Sequence, residues 1–183
     1  MVIVCDIDDT LCNLQEVVVN LFNERFGSHY SVKDFTEYDV MNVLPTQDAI
    51  VMKDIYGEHG LYDKVKPVPG AQEALEKLIN LGHQVYLVTA AIPKTYGEKV
   101  AFINRYFPFI DEGHIVSMRH KWMFKCDVMI EDNLSTILAK PSYHRILMDK
   151  PWNRNVNDWA YGIHRCHNWN EIVAAVNKIN ELE

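Results

Sequence analysis

Short apolar runs that end abruptly in polar residues alternate along this chain with amphipathic, helix-forming segments. The first run, Val2–Cys5, is rich in β-branched residues and is followed at once by Asp6, Asp8 and Asp9. Similar runs occur at 85–88, 114–117, 128–130 and 146–148. Short continuous apolar runs are typical of parallel strands that are buried on both faces. Strands that alternate with helices predict a doubly wound α/β fold, a parallel sheet whose right-handed crossovers place helices on both faces.

The intervening segments carry apolar residues at the three- and four-residue spacing of helices, and two of them end at glycines. One helix is predicted from Leu14 to a C-cap at Gly27, and a second from Ala71 to about Ile79, before Gly82. Further helices are predicted over about 95–106 and 169–179. These helices supply the crossovers that a parallel sheet requires.

The region between the first helix and residue 66 differs from the rest, because its short aromatic-rich pieces are broken by Pro45, Gly57 and Gly60. The stiff sequence Pro67-Val68-Pro69-Gly70 then returns the chain to the strand and helix pattern. We therefore predict an α/β core formed by residues 1–13 and 67–183, and a small helical cap inserted after the first strand. Residues 14–66 are called the cap segment below.

Charge and composition exclude several classes of function. The 25 acidic residues outnumber the 18 basic ones, giving a net charge of −7 that argues against a nucleic acid polymer as partner. Apolar runs are too short to span a bilayer, and the acids after Cys5 do not fit a signal peptide. The four cysteines include no CxxC pair, which favours reduced thiols. We expect a cytoplasmic protein without a membrane segment.

Polar residues that follow the predicted strands are the candidates for a functional site. In open parallel sheets, ligands bind beyond the carboxyl ends of the strands, where these side chains converge. Several carboxylates at one point repel one another, so the cluster calls for a hard cation, and Mg²⁺ is the natural choice. A hydroxyl and a lysine facing the same point would bind phosphate oxygens. The candidates at or just beyond the strand ends are Asp6, Asp8, Thr89, Arg119, Lys121, Glu131 and Asp132.

The motif Asp6-Ile7-Asp8-Asp9-Thr10, followed in order by Thr89, Lys121 and Glu131-Asp132, resembles the haloacid dehalogenase superfamily of aspartate-nucleophile phosphatases. Within it, the chain resembles the 5'(3')-deoxyribonucleotidase family over nearly its whole length, although the cap segment matches only loosely. Ala90 and Glu131 depart from the serine and aspartate expected in some relatives. The further segments that carry the resemblance are 66–71, 88–90, 96–99, 118–121, 127–132 and 150–154.

The resemblance implies an Mg²⁺-dependent phosphatase with a Rossmann-like core that hydrolyses deoxyribonucleoside or ribonucleoside monophosphates. It implies that Asp6 forms an aspartyl-phosphate and that Asp8 is the general acid and base. The metal ligands would be Asp6, the Asp8 backbone carbonyl and Asp132. Thr89 and Lys121 would bind phosphate, and Lys99 and Arg119 would lie near the substrate.

The aromatic residues of the cap segment, Tyr62 and Phe35 among them, suit stacking on a flat base. They would equally serve to pack the cap onto the core. We take Tyr62 as the candidate base-stacking residue, so that the cap chooses the substrate. The preferred base and the oligomeric state, a homodimer included, are left open.

Other functions remain compatible with parts of this pattern. A phosphatase of the same superfamily that acts on a sugar phosphate would use the same core. A phospho-receiver signalling domain also gathers acids, a Thr and a Lys around Mg²⁺, and a nucleotide-binding module would need no catalysis. Individually, Lys99 and Arg119 would serve as surface charges, and Glu131 as a structural acid.

Overall fold

A six-stranded, wholly parallel sheet forms the centre of the molecule, in the order β3-β2-β1-β4-β5-β6. This computed structural model describes residues 1–140 and 142–182. The sheet confirms the predicted α/β fold class. Its strands are β1 (Val2–Cys5), β2 (Gln84–Thr89), β3 (Ile115–Ser117), β4 (Val128–Glu131), β5 (His144–Met148) and β6 (Ile163–Cys166).

Both faces of the sheet are covered, as the alternation of side chains along β1 shows. Ile3 and Cys5 belong to the larger of two apolar clusters, and Val4 belongs to the other. None of the three is exposed, so the continuous apolar run is explained by burial on both sides. The helices are α1 (Leu14–Phe26), α2 (Thr46–Ile55), α3 (Leu61–Lys64), α4 (Ala71–Asn80), α5 (Pro93–Tyr106), α6 (Leu134–Ile137) and α7 (Trp169–Asn180).

The prediction missed β6, whose sequence is Ile-His-Arg-Cys. This strand lies at the edge of the sheet. Only Ile163 and Cys166 are buried in it, while His164 is exposed. Arg165 instead forms ion pairs with Asp149 and Asp158. An edge strand needs no continuous apolar run, and the pattern used to find the other strands therefore does not detect it.

The cap segment contains α1, α2, α3 and two short 3₁₀ helices, Val32–Asp34 and Val40–Asn42. Its two ends lie side by side, because the Asn13 N–H donates to the Lys66 carbonyl oxygen at 3.1 Å. The Lys66 N–H in turn donates to Asn13 Oδ1 at 2.8 Å. The division into a core of residues 1–13 and 67–183 and a cap of residues 14–66 stays a prediction.

Buried side chains of the cap segment, such as Phe22 and Met52, belong to the same apolar cluster as one face of the sheet. The segment is therefore packed onto the sheet through a continuous apolar interior. Among the described residues, no helix combines the length and the apolar character that crossing a bilayer would need.

Candidate active site

Three carboxylates meet where the central strands β1 and β4 end. Asp6 directly follows β1, Glu131 is the last residue of β4, and Asp132 comes next. Cys5 is in register with Ile130, and the Asp6 N–H donates to the Ile130 carbonyl oxygen at 3.0 Å. The strand ends are therefore level. One carboxylate oxygen from each acid lies within 4.8 Å of the others, and all three residues are buried.

Lys121 supplies a positive charge inside this cluster. It begins the 3₁₀ helix Lys121–Met123 that follows β3, and its side chain is buried. Its Nζ donates to Asp6 Oδ1 and, at 2.7 Å, to Glu131 Oε1. Glu131 Oε2 accepts the backbone N–H groups of Asp132 at 3.0 Å and Asn133 at 3.3 Å. Both oxygens of Glu131 are thus occupied, and this residue holds Lys121 in place.

The cluster remains short of positive charge. Burial raises the pKa of Asp6 to about 6, with Glu131 adding to the rise and Lys121 opposing it. Burial, reinforced by the charge of Glu131, also raises the pKa of Asp132 well above its ordinary value. Burial alone would lower the pKa of Lys121, but the two carboxylates it contacts raise it. The raised pKa values indicate that a further positive charge would stabilise these buried carboxylates. Their oxygens suit a hard divalent ion such as Mg²⁺.

A second hydrogen-bonded group adjoins the first and is centred on Asp8. Lys99, on α5, is buried, and its Nζ donates to Asp8 Oδ2 at 2.5 Å and to Thr89 Oγ1 at 2.9 Å. Thr89 is the last residue of β2. The other carboxylate oxygen of Asp8 accepts the Tyr62 hydroxyl at 2.6 Å. Both oxygens of Asp8 are therefore held by donors from different elements.

A cavity of about 360 Å³ lies between the cap segment and the strand ends. Asp8, Asp9 and Asp132 line it from the core. Trp152 lines it as well, and its indole Nε1–H donates to Asp132 Oδ2 at 2.9 Å. The cap segment contributes apolar and aromatic side chains together with a few polar ones. The lining residues of the cap segment are Leu14, Gln15, Phe35, Glu37, Tyr38, Asp39, Val40, Lys53 and Tyr56.

Most of the predicted site residues meet at this one edge of the sheet. Asp6, Asp132 and Lys121 form the first group, and Asp8, Thr89 and Lys99 form the second. Arg119 is exposed on the loop after β3, and within the described part of the chain no hydrogen bond or ion pair joins it to either group. A contact between Arg119 and the substrate stays a prediction.

Tyr62 occupies a different place from the one expected of a base-stacking residue. It is only 3% exposed, and its ring packs edge-on against Phe102 with the centroids 6.4 Å apart. Tyr62 is not among the described residues that line the cavity. Its ring fills the interface between α3 and α5, and its hydroxyl reaches Asp8. The geometry thus favours the packing alternative for Tyr62.

Sequence reasoning did not single out Trp152, Gln15 or Tyr56 as residues of the site. Trp152 lies within the segment 150–154 that carried part of the resemblance, so a signal for it existed. Gln15 lies within the first predicted helix and Tyr56 among the aromatic-rich pieces of the cap segment, and neither has a distinguishing spacing. Only the folded cap segment brings them to the cavity wall.

Comparisons with known proteins find similar nucleotidases. The family described as "5' nucleotidase, deoxy (Pyrimidine), cytosolic type C protein" matches residues 1–179. A putative 5'(3')-deoxyribonucleotidase of Staphylococcus epidermidis is 30% identical over 133 residues, which are 72% of this chain and 73% of that protein. The 5'(3')-deoxyribonucleotidase of Bacillus subtilis is 28% identical over 173 residues, 93% and 95% of the two chains.

The fold has counterparts among solved structures. A HAD family hydrolase from Deinococcus radiodurans R1, whose crystal structure holds phosphate and sodium, superposes with a TM-score of 0.66. The superposition covers 98% of this chain and 96% of the other, at 15% sequence identity. At that identity, the likeness shows the haloacid dehalogenase-like fold alone.

Proposed function

The chain belongs to the family of 5' nucleotidase, deoxy (Pyrimidine), cytosolic type C proteins, and we propose that it hydrolyses deoxyribonucleoside and ribonucleoside monophosphates with Mg²⁺ through an aspartyl-phosphate. Family membership and the similar deoxyribonucleotidases make it a phosphoric monoester hydrolase of the nucleotidase type. Beyond this, we propose the metal, the covalent step, the range of substrates and the roles of the residues.

One observation carries the proposal: the buried oxygens of Asp6 and Asp132 converge beside Lys121, and Asp132 also lines a cavity whose wall includes aromatic and apolar side chains. A phosphate held at the strand ends would meet a carboxylate nucleophile, a metal site and an ammonium group together. The rest of the substrate would extend into the cavity below the cap segment. The aromatic side chains of this cavity suit stacking on the flat face of a base, which a sugar does not offer.

Asp6, Asp132 and the backbone carbonyl of Asp8 would hold the Mg²⁺. When bound, the ion would neutralise charge on the phosphate oxygens as a Lewis acid. Trp152 already fixes one oxygen of Asp132, and such a hydrogen bond to a ligand orients it and tunes its affinity. Glu131 holds the ammonium of Lys121 within reach of the same phosphate.

In the proposed first step, a carboxylate oxygen of Asp6 attacks phosphorus and forms the O–P bond of the aspartyl-phosphate. The bond from phosphorus to the nucleoside oxygen breaks, and Asp8 gives that oxygen its proton. In the second step Asp8 takes a proton from water, whose oxygen attacks phosphorus. The Asp6–phosphorus bond then breaks and inorganic phosphate leaves. Both residues return to their starting states.

The contacts of Asp8 support its proposed role. Tyr62 and Lys99 both donate to its carboxylate. Donors from two different elements hold the carboxylate in one orientation, as a group that passes a proton to a leaving oxygen requires.

We also propose that the cap segment, residues 14–66, selects the substrate and that the protein acts in the cytoplasm. The cap supplies most of the residues that line the cavity, while the reacting groups come from the strand ends and from α5. The cytoplasmic location is supported by the proposed nucleotide substrate and by the four cysteines, which are all free and buried. Thiols in this state suit a reducing compartment.

A hydrolysis panel tests the proposed function. Purified wild-type protein with Mg²⁺ is expected to prefer deoxynucleoside monophosphates to 2-deoxyribose 5-phosphate and glucose 6-phosphate, and to lose activity in EDTA. Rapid quenching with ³²P-labelled dUMP should trap labelled protein, and Asp6→Asn should abolish both the label and turnover. A preference for sugar phosphates would replace the nucleotidase proposal with that of a general phosphatase. Turnover of Asp6→Asn within tenfold of wild type would exclude Asp6 as the nucleophile.

A further inference from the structure

The wall of the cavity contains one buried hydrogen-bond donor that the protein does not use. Gln15, in the first turn of α1, is 6% exposed and lines the cavity. Its side-chain Nε2 has no hydrogen-bond partner among the described residues. A buried donor left without a partner costs the desolvation of that group. The cost would be recovered if a ligand placed an acceptor there.

The amide of Gln15 is held by its other contacts. Its Oε1 accepts the hydroxyl of Tyr56, and its backbone N–H donates to Asp9 Oδ1 at 2.9 Å. Burial and the nearby charge of Asp9 raise the pKa of Tyr56, so its hydroxyl keeps the proton that it donates. With Oε1 engaged in this way, the NH₂ group is the free end of the amide.

The surroundings of Gln15 indicate what would accept this hydrogen bond. Leu14, Phe35, Val40 and Tyr56 give this part of the cavity an apolar and partly aromatic wall, and they suit a flat ring. Ammonium groups that suit the phosphate lie instead at Lys121 and Lys99, beside the carboxylates. Gln15 is neutral, and the acids Glu37, Asp39 and Asp9 share its cavity. Lys53 also lines the cavity, but its ammonium is paired with Asp39 at 2.9 Å. A neutral acceptor on a ring is therefore favoured over an anion.

We propose that Gln15 Nε2 donates a hydrogen bond to a ring carbonyl oxygen of the nucleobase, and that Tyr56 orients the amide for this contact. Gln15 is then a specificity-determining residue that favours bases with a ring carbonyl, such as uracil and thymine, over adenine, which has none. Adenine accepts only through nitrogens within its rings, whereas a carbonyl oxygen projects beyond the ring, so a donor placed for that oxygen would be left unpaired by adenine. This inference rests on the proposed nucleotidase function.

The test compares kcat/KM for dUMP, dAMP and 2-deoxyribose 5-phosphate in the full-length protein with Mg²⁺. In Gln15→Met, which keeps the length of the side chain but lacks the donor, the dUMP to dAMP ratio of kcat/KM should fall about tenfold, the order expected for one hydrogen bond. The ratio of dUMP to 2-deoxyribose 5-phosphate should fall similarly, through KM rather than kcat. Gln15→Glu, which has the same shape and no donor when ionised, should lower both ratios too.

Two further variants make the test specific. Tyr56→Phe should lower the dUMP to dAMP ratio by a smaller factor, because the amide keeps its donor but loses its orientation. Gln47→Met makes the same chemical change on the exposed face of α2, within the same cap segment, and should leave both ratios unchanged. Thermal unfolding of each variant establishes that it is folded, and Gln15→Glu stands in for Gln15→Met if the latter fails to fold.

The outcomes separate this inference from the proposed function. If the wild type prefers dUMP to 2-deoxyribose 5-phosphate but folded Gln15 variants keep both ratios, the role of Gln15 is refuted and the nucleotidase proposal stands. Equal losses on all three substrates would also refute it, since they would indicate a structural role. If the wild type shows no preference for dUMP over 2-deoxyribose 5-phosphate, the proposed function and this inference fall together.

Discussion

Replacing Lys121 by Met tests whether its ammonium balances the carboxylates at the ends of β1 and β4. Lys121 is 5% exposed and contacts Asp6 and Glu131. The substitution keeps an unbranched apolar side chain but leaves the buried carboxylates without their one observed ammonium contact. Removing one partner of a buried ion pair costs about 3–5 kcal/mol of unfolding free energy. For a domain of this size each kcal/mol lowers Tm by about 2–4 °C, so we expect a fall of roughly 6–20 °C.

The assay is thermal unfolding of the metal-free protein at pH 8, followed by circular dichroism. Lys125→Met is the matched control, because Lys125 is exposed on the same segment and its loss should change Tm little. The deficit of Lys121→Met should shrink at pH 5, because burial raises the pKa of Asp6 and of Asp132 and their protonation removes the repulsion. A second substitution, Glu131→Gln, should also restore part of the Tm that Lys121→Met loses. A Tm equal to that of Lys125→Met at pH 8 would refute this account of the cluster.

Three further predictions concern catalysis and the metal. Asp8→Asn should lose more activity on an alkyl phosphate than on p-nitrophenyl phosphate, because only the poorer leaving group needs a proton; equal losses would contradict the role of Asp8 as the acid. Asp6 has a pKa of about 6 in the folded protein against an ordinary 3.8. Between these two pH values the folded state therefore binds more protons than the unfolded state. The Tm of metal-free protein should therefore fall as pH rises from 4 through 6, and Mg²⁺ should flatten that fall; a Tm that rises over this range would refute the assignment. Trp152→Phe removes the donor to Asp132 and should raise the Mg²⁺ concentration for half-activity about tenfold or more. Trp159→Phe, at a residue that is 91% exposed, should not change it.

The sequence allowed the convergence of most of these side chains at the strand ends to be predicted, because position in a parallel sheet follows from the order of strands. Asp6 and Thr89 directly follow apolar runs and Asp132 lies two residues beyond one, and such residues meet at one edge in any doubly wound sheet. Lys121 follows a strand by only a few residues. Lys99 was accessible only through the family resemblance, because a lysine on an amphipathic helix is usually solvated.

The cavity side of the site could not be predicted in the same way. Tyr62 and Tyr56 are both tyrosines of the cap segment, and their sequence context does not tell which one turns toward the cavity. Which tyrosine faces the cavity depends on how α3 packs against α5, where Tyr62 contacts Phe102. A tertiary contact of this kind leaves no periodic pattern in the sequence. Similarly, whether Glu131 holds a metal or a lysine depends on which donors its oxygens meet in the folded chain.

The order of the strands has a consequence for how the polypeptide reaches this state during synthesis. β1 is made before the other strands of this sheet, yet its neighbours are β2 and β4. Asp6 joins Asp132 only after more than a hundred further residues have been made. Contacts this distant in sequence form slowly, because the closure of a long loop precedes the gain in contacts. Until β2 and β4 have been made, Ile3 and Val4 are not fully buried. A nascent chain that stalls before β4 lacks Asp132 and leaves β1 without one of its two neighbouring strands, and apolar strands exposed in this way favour aggregation.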